Sequence, residues 1–225
     1  MSPMSVDSPK HLALVKGALV TYVVDKPGTP PTVMPFQYNP DTVSWSVRRN
    51  DSAGSQESPQ DSLRVAGPPS ETISLRIRLD AAELKETSNN GDGVSRFGML
   101  PALARLQMLV SPSSDELERA RSEASQGHVN PFAFHVPLVL LVLGPNRVVP
   151  VKVLDVAAEE TLHDARFNPL LVEVSLNLEM LSGRELAAQG IGHLAFRGHV
   201  RNREIVAGQP YSSDGTRYVA GVLPQ

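Results

Sequence analysis

The chain contains no cysteine among its 225 residues. Disulfide frameworks, thiolate nucleophiles and cysteine-ligated zinc or iron–sulfur sites are therefore excluded. Aromatic residues are scarce, at 5%, whereas prolines number 19. This balance indicates a loop-rich protein with a modest core.

The chain also lacks an excess of positive charge and a long hydrophobic run. Its formal net charge is -3, so it has no basic surplus of the kind that general nucleic-acid binders carry. The longest apolar run, Leu138 to Leu143, is far shorter than the roughly 20 residues that cross a bilayer. No apolar stretch precedes Leu12, so no secretory signal is expected. We expect a cytoplasmic protein with neither a nucleic-acid nor a membrane partner.

What is present is the composition of a folded domain. Hydrophobic residues make up 41% and charged residues 20%, which is enough apolar material for a core. The length suits one large domain with an appended segment. The predicted division is a flexible N-terminus at 1–11, a β domain at 12–183 and a C-terminal arm at 184–225.

Alternating patterns predict strands in the first half of the chain. Leu12 to Val24 is rich in Leu, Val, Thr and Tyr and ends at a Pro-Gly turn. Val43, Trp45 and Val47 alternate with polar residues, which is typical of a half-buried strand. Thr72–Asp80 is the clearest case, because every second residue from Ile73 is a large aliphatic one.

The second half begins with helical spacing and returns to strands. Leucines recur at helical intervals in Pro101–Val110, and serine caps a second predicted helix, Asp115–Ala124. Leu138–Leu143 and Val148–Val156 flank a Gly-Pro-Asn turn and predict a hairpin, and Val172–Leu181 predicts the last strand. The expected fold is mainly β with one or two helices (α+β), an antiparallel sandwich or barrel with a flanking helix and a C-terminal arm.

Three segments carry no clear pattern. Asn50–Ser70 is dominated by polar residues, glycine and proline, and it predicts a long loop or a projecting hairpin. Glu83–Phe97 contains a run of Ser, Asn, Gly and Asp that predicts a flexible segment. Beyond Gly183 the patterns fade, which predicts an arm that orders by docking on a neighbouring subunit or on the hub of a larger assembly.

The search for catalytic or ligand-binding motifs gives weak matches. Gly190 to Ala195 fits G-x-G-x-x-A, but no helical pattern is evident after it, so we interpret it as a turn. The histidines, including His193 and His199, lack the spacing of a metal site. Arg76 and Arg78 could line a basic face, although spaced charges on a solvated strand are as good an explanation. We predict no catalytic, cofactor or metal site.

Two stretches resemble a known family. The first combines an F-x-F/Y-N-P signature with a following tryptophan: Phe36, Gln37, Tyr38, Asn39, Pro40 and Trp45. The second runs from Pro137 through the predicted hairpin to a Phe-centred turn, Phe167, Asn168 and Pro169, and a final strand. In order and composition they are similar to the tube-like baseplate proteins of contractile injection systems, the tube adaptor and tube initiator family. No LysM module, which several members carry, is evident here.

The resemblance implies a phage tail-tube type of fold and a structural role without catalysis. It implies a ring, hexameric by family likeness, which joins the spike hub to the inner tube and contacts other baseplate subunits. The residues above would be architectural. The candidate subunit contacts lie just before the long loop, in that loop and in the arm: Arg48, Asp51, Gln56, Arg64, Phe196, Tyr211 and Tyr218. The sequence does not separate a tube adaptor from a tube protein proper or another baseplate layer. A small cytosolic enzyme or a ligand-binding β-barrel is the alternative.

Overall fold

The computed structural model describes residues 15–22, 29–50, 65–87, 91–125, 134 and 136–209. These residues form seven strands and five helices. The strands are β1 Ala18–Tyr22, β2 Thr32–Pro35, β3 Val43–Arg48, β4 Ser70–Asp80, β5 Leu138–Val142, β6 Val148–His163 and β7 Pro169–Met180. The helices are α1 Ala81–Thr87, α2 Gly91–Phe97, α3 Leu100–Gln107, α4 Ser114–Ser125 and α5 Ile191–Ala207.

All seven strands belong to one antiparallel sheet in the order β2-β1-β5-β6-β7-β4-β3. The predicted antiparallel α+β class is confirmed. The predicted hairpin forms between β5 and β6, with Val142 opposite Val148. β1 is shorter than the predicted strand, and β6 is longer, because it continues past Val156 to pair with β7.

Most of the core lies on one face of this sheet, and only β5 and the start of β6 are buried on both faces among the described strands. Strand β4 alternates buried and exposed residues along its whole length, with Ile73, Leu75, Ile77 and Leu79 inside. Its neighbour β7 places Val172, Val174, Leu176 and Leu178 on the same buried face. Because successive strand residues point to opposite faces, the other face carries the polar set: Ser74, Arg76, Arg78, Glu173, Ser175 and Asn177.

Helices α3 and α5 pack against the core. Helix α3 begins with Pro101 in its first turn, where a missing N–H costs nothing, and buries Leu103 and Leu106 in the core. Helix α5 packs mainly on β6 and also on β5. Its Gly192 allows close approach, since a Cβ there would lie 2.7 Å from Leu186 and 3.0 Å from Leu138.

Two expectations about irregular segments are wrong. The stretch around Glu83–Phe97 contains helices α1 and α2, although residues 88–90 lie outside the described part. A helix of 17 residues does follow Gly190, which stands at its N-cap position. This helix packs on the chain's own sheet, whereas the expected arm was to dock on a neighbour. The domain boundaries at 11 and 183 stay predictions.

Strand β6 pairs with its two neighbours over very different lengths. Only Val148–Val151 pair with β5, while the pairing with β7 continues from Val151 to His163. Within the described residues, the β6 segment 152–163 therefore has a strand on one side only. From Leu154 to Leu162 the side chains are mostly exposed, with Val156 half-buried.

Candidate functional site

The segment Phe36–Pro40 joins β2 to β3 and anchors both to the sheet. Phe36 is 2% exposed and belongs to the core, and its N–H donates to the Gly17 carbonyl over 2.8 Å. Gly17 leaves room for the ring, because a Cβ there would lie 2.7 Å from it. This packing makes Phe36 part of the core, and the architectural role of the motif stays a prediction.

Two amide side chains of the same segment bind backbone groups at the end of β4 and just before β1. Gln37 Nε2 donates to the Asp80 carbonyl over 3.0 Å, and the Asp80 N–H donates to Gln37 Oε1 over 2.6 Å. Asn39 Nδ2 donates to the Val15 carbonyl, and its Oδ1 accepts from the Gly17 N–H over 2.8 Å. Each amide thus pairs with a strand terminus much as a neighbouring strand would.

This pairing shows that the sheet is curled. Strands β1 and β4 are four positions apart in the sheet order, which is about 19 Å across a flat sheet at roughly 4.8 Å per strand. Gln37 and Asn39 of one short segment nevertheless bind at both places, and Val43 of β3 lines one small cavity with Gly17 and Leu143, next to β1 and β5. The sheet therefore curves into an incomplete barrel that the segment Phe36–Pro40 bridges.

Tyr38 and Pro40, between and after these anchors, face outward. Tyr38 is 43% exposed, and the Arg78 guanidinium lies over its ring at 5.9 Å from the centroid. A hydrogen bond with Glu83 raises the pKa of Tyr38. Pro40 lies in the wall of an open polar groove of about 760 Å³ that also contains Ser74, Arg76 and Asn177.

The second motif forms the β6–β7 turn. The Asp164 carboxylate accepts hydrogen bonds from the N–H groups of Arg166 and Asn168, each at 2.8 Å, and from the Asn168 side chain at 2.8 Å. These bonds lower the pKa of Asp164, the Asn168 side chain first. Asn168 also donates to the Arg96 carbonyl over 3.2 Å, which ties the turn to α2.

Pro169 completes this attachment, and Phe167 projects from it. The Pro169 carbonyl accepts from the Met99 N–H over 2.7 Å. Phe167 has a φ of 63°, an uncommon value for a bulky residue, and is 77% exposed. Its ring stacks on His163 with centroids 4.3 Å apart.

Trp45, the tryptophan of the first motif, is half-buried and belongs to a polar cluster around the buried Glu71. Its Nε1 donates to Glu71 Oε2 over 2.8 Å. Arg203 of α5 donates to both oxygens of Glu71, over 2.8 and 2.7 Å. Glu71 is fully buried, and the bidentate pair with a tryptophan donor offsets its desolvation. The cluster thereby joins β3, β4 and α5.

Comparisons with known proteins do not identify a family for this chain. No protein-family model matches the chain, and no curated protein matches it. One solved structure is described as the tail of an empty GTA particle, obtained with helical refinement in C6 symmetry. Its TM-score is 0.31 at 13% identity, covering 73% of this chain and 91% of that one. At this level the comparison carries no argument about function.

The predicted subunit contacts fall into two groups. Arg48 is exposed at the end of β3, opposite Ser70. Phe196 is half-buried against the chain's own core, and a Cβ at Gly183 would lie 3.2 Å from its ring. The remaining candidates, Asp51, Gln56, Arg64, Tyr211 and Tyr218, lie outside the described residues. Their role at an interface stays a prediction.

The polar face of the sheet carries a ladder of side-chain contacts. Ser74 donates to Asn177 over 2.8 Å, and Asn177 donates to Asp155 over 3.4 Å. Arg76 and Glu173 form an exposed ion pair at 3.5 Å, and such pairs contribute little to stability. In the described part of the chain, no group of three His, Asp or Glu side chains could hold a metal ion. No described helix is long and apolar enough to cross a membrane.

The Glu71–Arg203 pair has only a weak signal in the sequence. The signal for Glu71 was its position, since it continues the inward-facing series of β4 at the correct period of two. The signal for Arg203 was weaker, because no helical pattern was recognised after Gly190. A buried carboxylate requires a partner, but its identity depended on a helix that is remote in sequence.

Proposed function

We propose that the chain is a structural, non-catalytic subunit of a contractile injection system, a tube adaptor of the baseplate. In this role it forms a ring that joins the spike hub to the inner tube and templates tube assembly. Support comes from the family resemblance, from the antiparallel sheet, and from both motifs serving as anchors within it. Phe36, Gln37, Asn39 and Asn168 all hold strands or turns in place.

The free edge of β6 is the observation on which the proposal chiefly depends. Along 152–163 the strand pairs only with β7 among the described residues. An unpaired edge presents N–H and C=O groups that another strand can satisfy. A head-to-tail contact that uses this edge and a different edge of the next copy closes into a ring when the rotation permits.

The polar face of the sheet supports the same arrangement. Ser74, Arg76, Ser175 and Asn177 are polar or charged and keep that face hydrated. In a ring built by extending the sheet from copy to copy, this face would form a continuous polar surface. We propose that it lines the lumen, where a hydrated wall would let cargo pass.

Imaging of the intact particle tests this proposal. Cryo-electron microscopy of the native particle should show this chain as a ring in the axial stack, between the hub and the first layer of the tube. A monomer in isolation would be compatible, because the ring can require the hub as template. Absence of the chain from the particle, or a position outside the axial stack, would contradict the proposal.

A pair of proline variants tests the edge itself. Ala157 and Ala158 are consecutive exposed residues of β6, and N–H groups alternate in direction along a strand. One of Ala157→Pro and Ala158→Pro removes an N–H bonded to β7, and the other removes one directed to the free edge. The variant with the smaller loss of thermal stability should fold but fail to enter particles. Normal incorporation of that variant would exclude this edge from the ring contact.

A further inference from the structure

Helix α5 is held on the sheet by a cluster that contains a buried histidine. His199 is 6% exposed and stacks on Trp45 with ring centroids 5.7 Å apart and 12° between the planes. Its Nε2 lies 2.8 Å from Arg203 Nη2, which also binds Glu71. The same arginine therefore contacts both the histidine and the carboxylate.

The partners fix the charge state of His199. An arginine has only donors, so Nε2 must accept the Arg203 hydrogen bond, and the ring is neutral with its proton on Nδ1. That Nδ1 is buried without a hydrogen-bond partner in the described residues. A second proton, on Nε2, would place two donors against each other and a positive charge beside the guanidinium.

We propose that Trp45, Glu71, His199 and Arg203 form an acid-sensitive latch that holds α5 on the sheet at neutral pH. Uptake of a proton by His199 breaks its contact with Arg203 and favours detachment of the helix. Detachment withdraws Phe196 from the core and Gly192 from Leu138 of β5. The proposal does not depend on the function proposed above.

The direction of the pH effect follows from the surroundings of His199. Burial lowers its pKa, and the positive charge of Arg203 lowers it further, while Glu71 opposes this. These are the charged groups that act on it from α5 and β4. A released histidine has a pKa of about 6.5. The equilibrium constant for attachment of α5 is therefore largest above about pH 6.5. Below that pH it falls by at most about tenfold per pH unit, until the lowered pKa of the attached His199 is reached.

Hydrogen exchange on the full chain tests the latch without a mutation. Protection factors of the α5 amides, corrected for intrinsic exchange, should fall between about pH 8 and about pH 5 while those of β7 stay high. The chain's single tryptophan, Trp45, should change its fluorescence over the same range. Equal loss of protection in α5 and β7, or no loss in either, would overturn the proposal.

A matched pair of variants assigns the effect to one residue. His199→Gln keeps a side-chain acceptor for Arg203 but cannot ionise, so α5 protection should lose its pH dependence. His193→Gln removes another histidine of the same helix, outside the cluster, and should leave the wild-type pH dependence intact. The latch is also overturned if His193→Gln abolishes the pH dependence or if a folded His199→Gln retains it. Should His199→Gln not fold, the wild-type exchange profile decides alone.

Discussion

Two glycines with positive φ are constrained in different ways. Gly98 has a φ of 55°, and a Cβ built there would lie 2.3 Å from the Pro169 carbonyl oxygen. Gly144, in the β5–β6 turn, has a φ of 83° with nothing within 4 Å of such a Cβ. The first position therefore combines backbone strain with a clash, and the second has strain alone.

This contrast gives a prediction at the scale of single residues. Gly144→Ala should lower the free energy of unfolding by about 1 kcal/mol, the usual cost of a left-handed alanine. Gly98→Ala should cost about 3 kcal/mol or more, because the β6–β7 turn must also move away from α2 and α3. Chemical denaturation of both variants measures the difference. Equal losses would mean that the turn is free to shift.

The position of a residue could be predicted where it follows from its neighbours in sequence. It could not be predicted where it depends on a partner far away in the chain. The inward position of Ile77 follows from its neighbours in sequence. The burial of Glu71 depends on Trp45 of the neighbouring strand and on Arg203, which is 132 residues away. Similarly, the anchoring role of Asn39 depends on where β1 begins, which no pattern around Asn39 indicates.

At the scale of elements, the sheet strands were the easiest to predict. Period-two alternation is a strong signal where one face is buried and the other is solvated, and β4 and β7 meet that condition. Helix α5, in contrast, has no clear periodic pattern in its sequence. It contains glycine, which has low helix propensity, and it exposes Ile191, Leu194 and Ile205. Its stability comes from packing on β6 and from the Arg203–Glu71 pair.

The prediction for β4 compares the two faces of one strand. Ile77 is 2% exposed, so Ile77→Asp buries a charge without a partner and should cost about 4 kcal/mol or more. Ser74→Asp places the same side chain on the polar face and should cost about 1 kcal/mol. Thermal melting compares them. If Ile77→Asp melted like Ser74→Asp, the assignment of Ile77 to the buried face of β4 would be wrong.

At the scale of the whole molecule, the antiparallel class was predictable and the strand order was not. Hairpins such as β5–β6 and β6–β7 follow from short turns. The pairing of β1 with β5 joins segments far apart in the chain, and no local pattern selects it. The curl of the sheet follows from the bridge that Gln37 and Asn39 form, which is visible only in three dimensions.

The bridge predicts that the two ends of the sheet depend on Phe36. Phe36→Ala removes a fully packed ring beside Gly17 and should cost about 3–5 kcal/mol. Tyr38→Ala removes an exposed ring from the same segment and should cost about 1 kcal/mol or less. Denaturant titration measures both. A stable Phe36→Ala that lost only partner binding would move this motif from the architecture to an interface.

The pairing of β1 with β5 also bears on synthesis from the ribosome. Strands β1 and β2 emerge first, yet the neighbour that completes their place in the sheet is made only after all of α1 to α4. Until then the N-terminal hairpin has one side unsatisfied, and contacts so distant in sequence form slowly. Nascent chains that stop before Leu138 should therefore aggregate more readily than chains that extend through β5, β6 and β7.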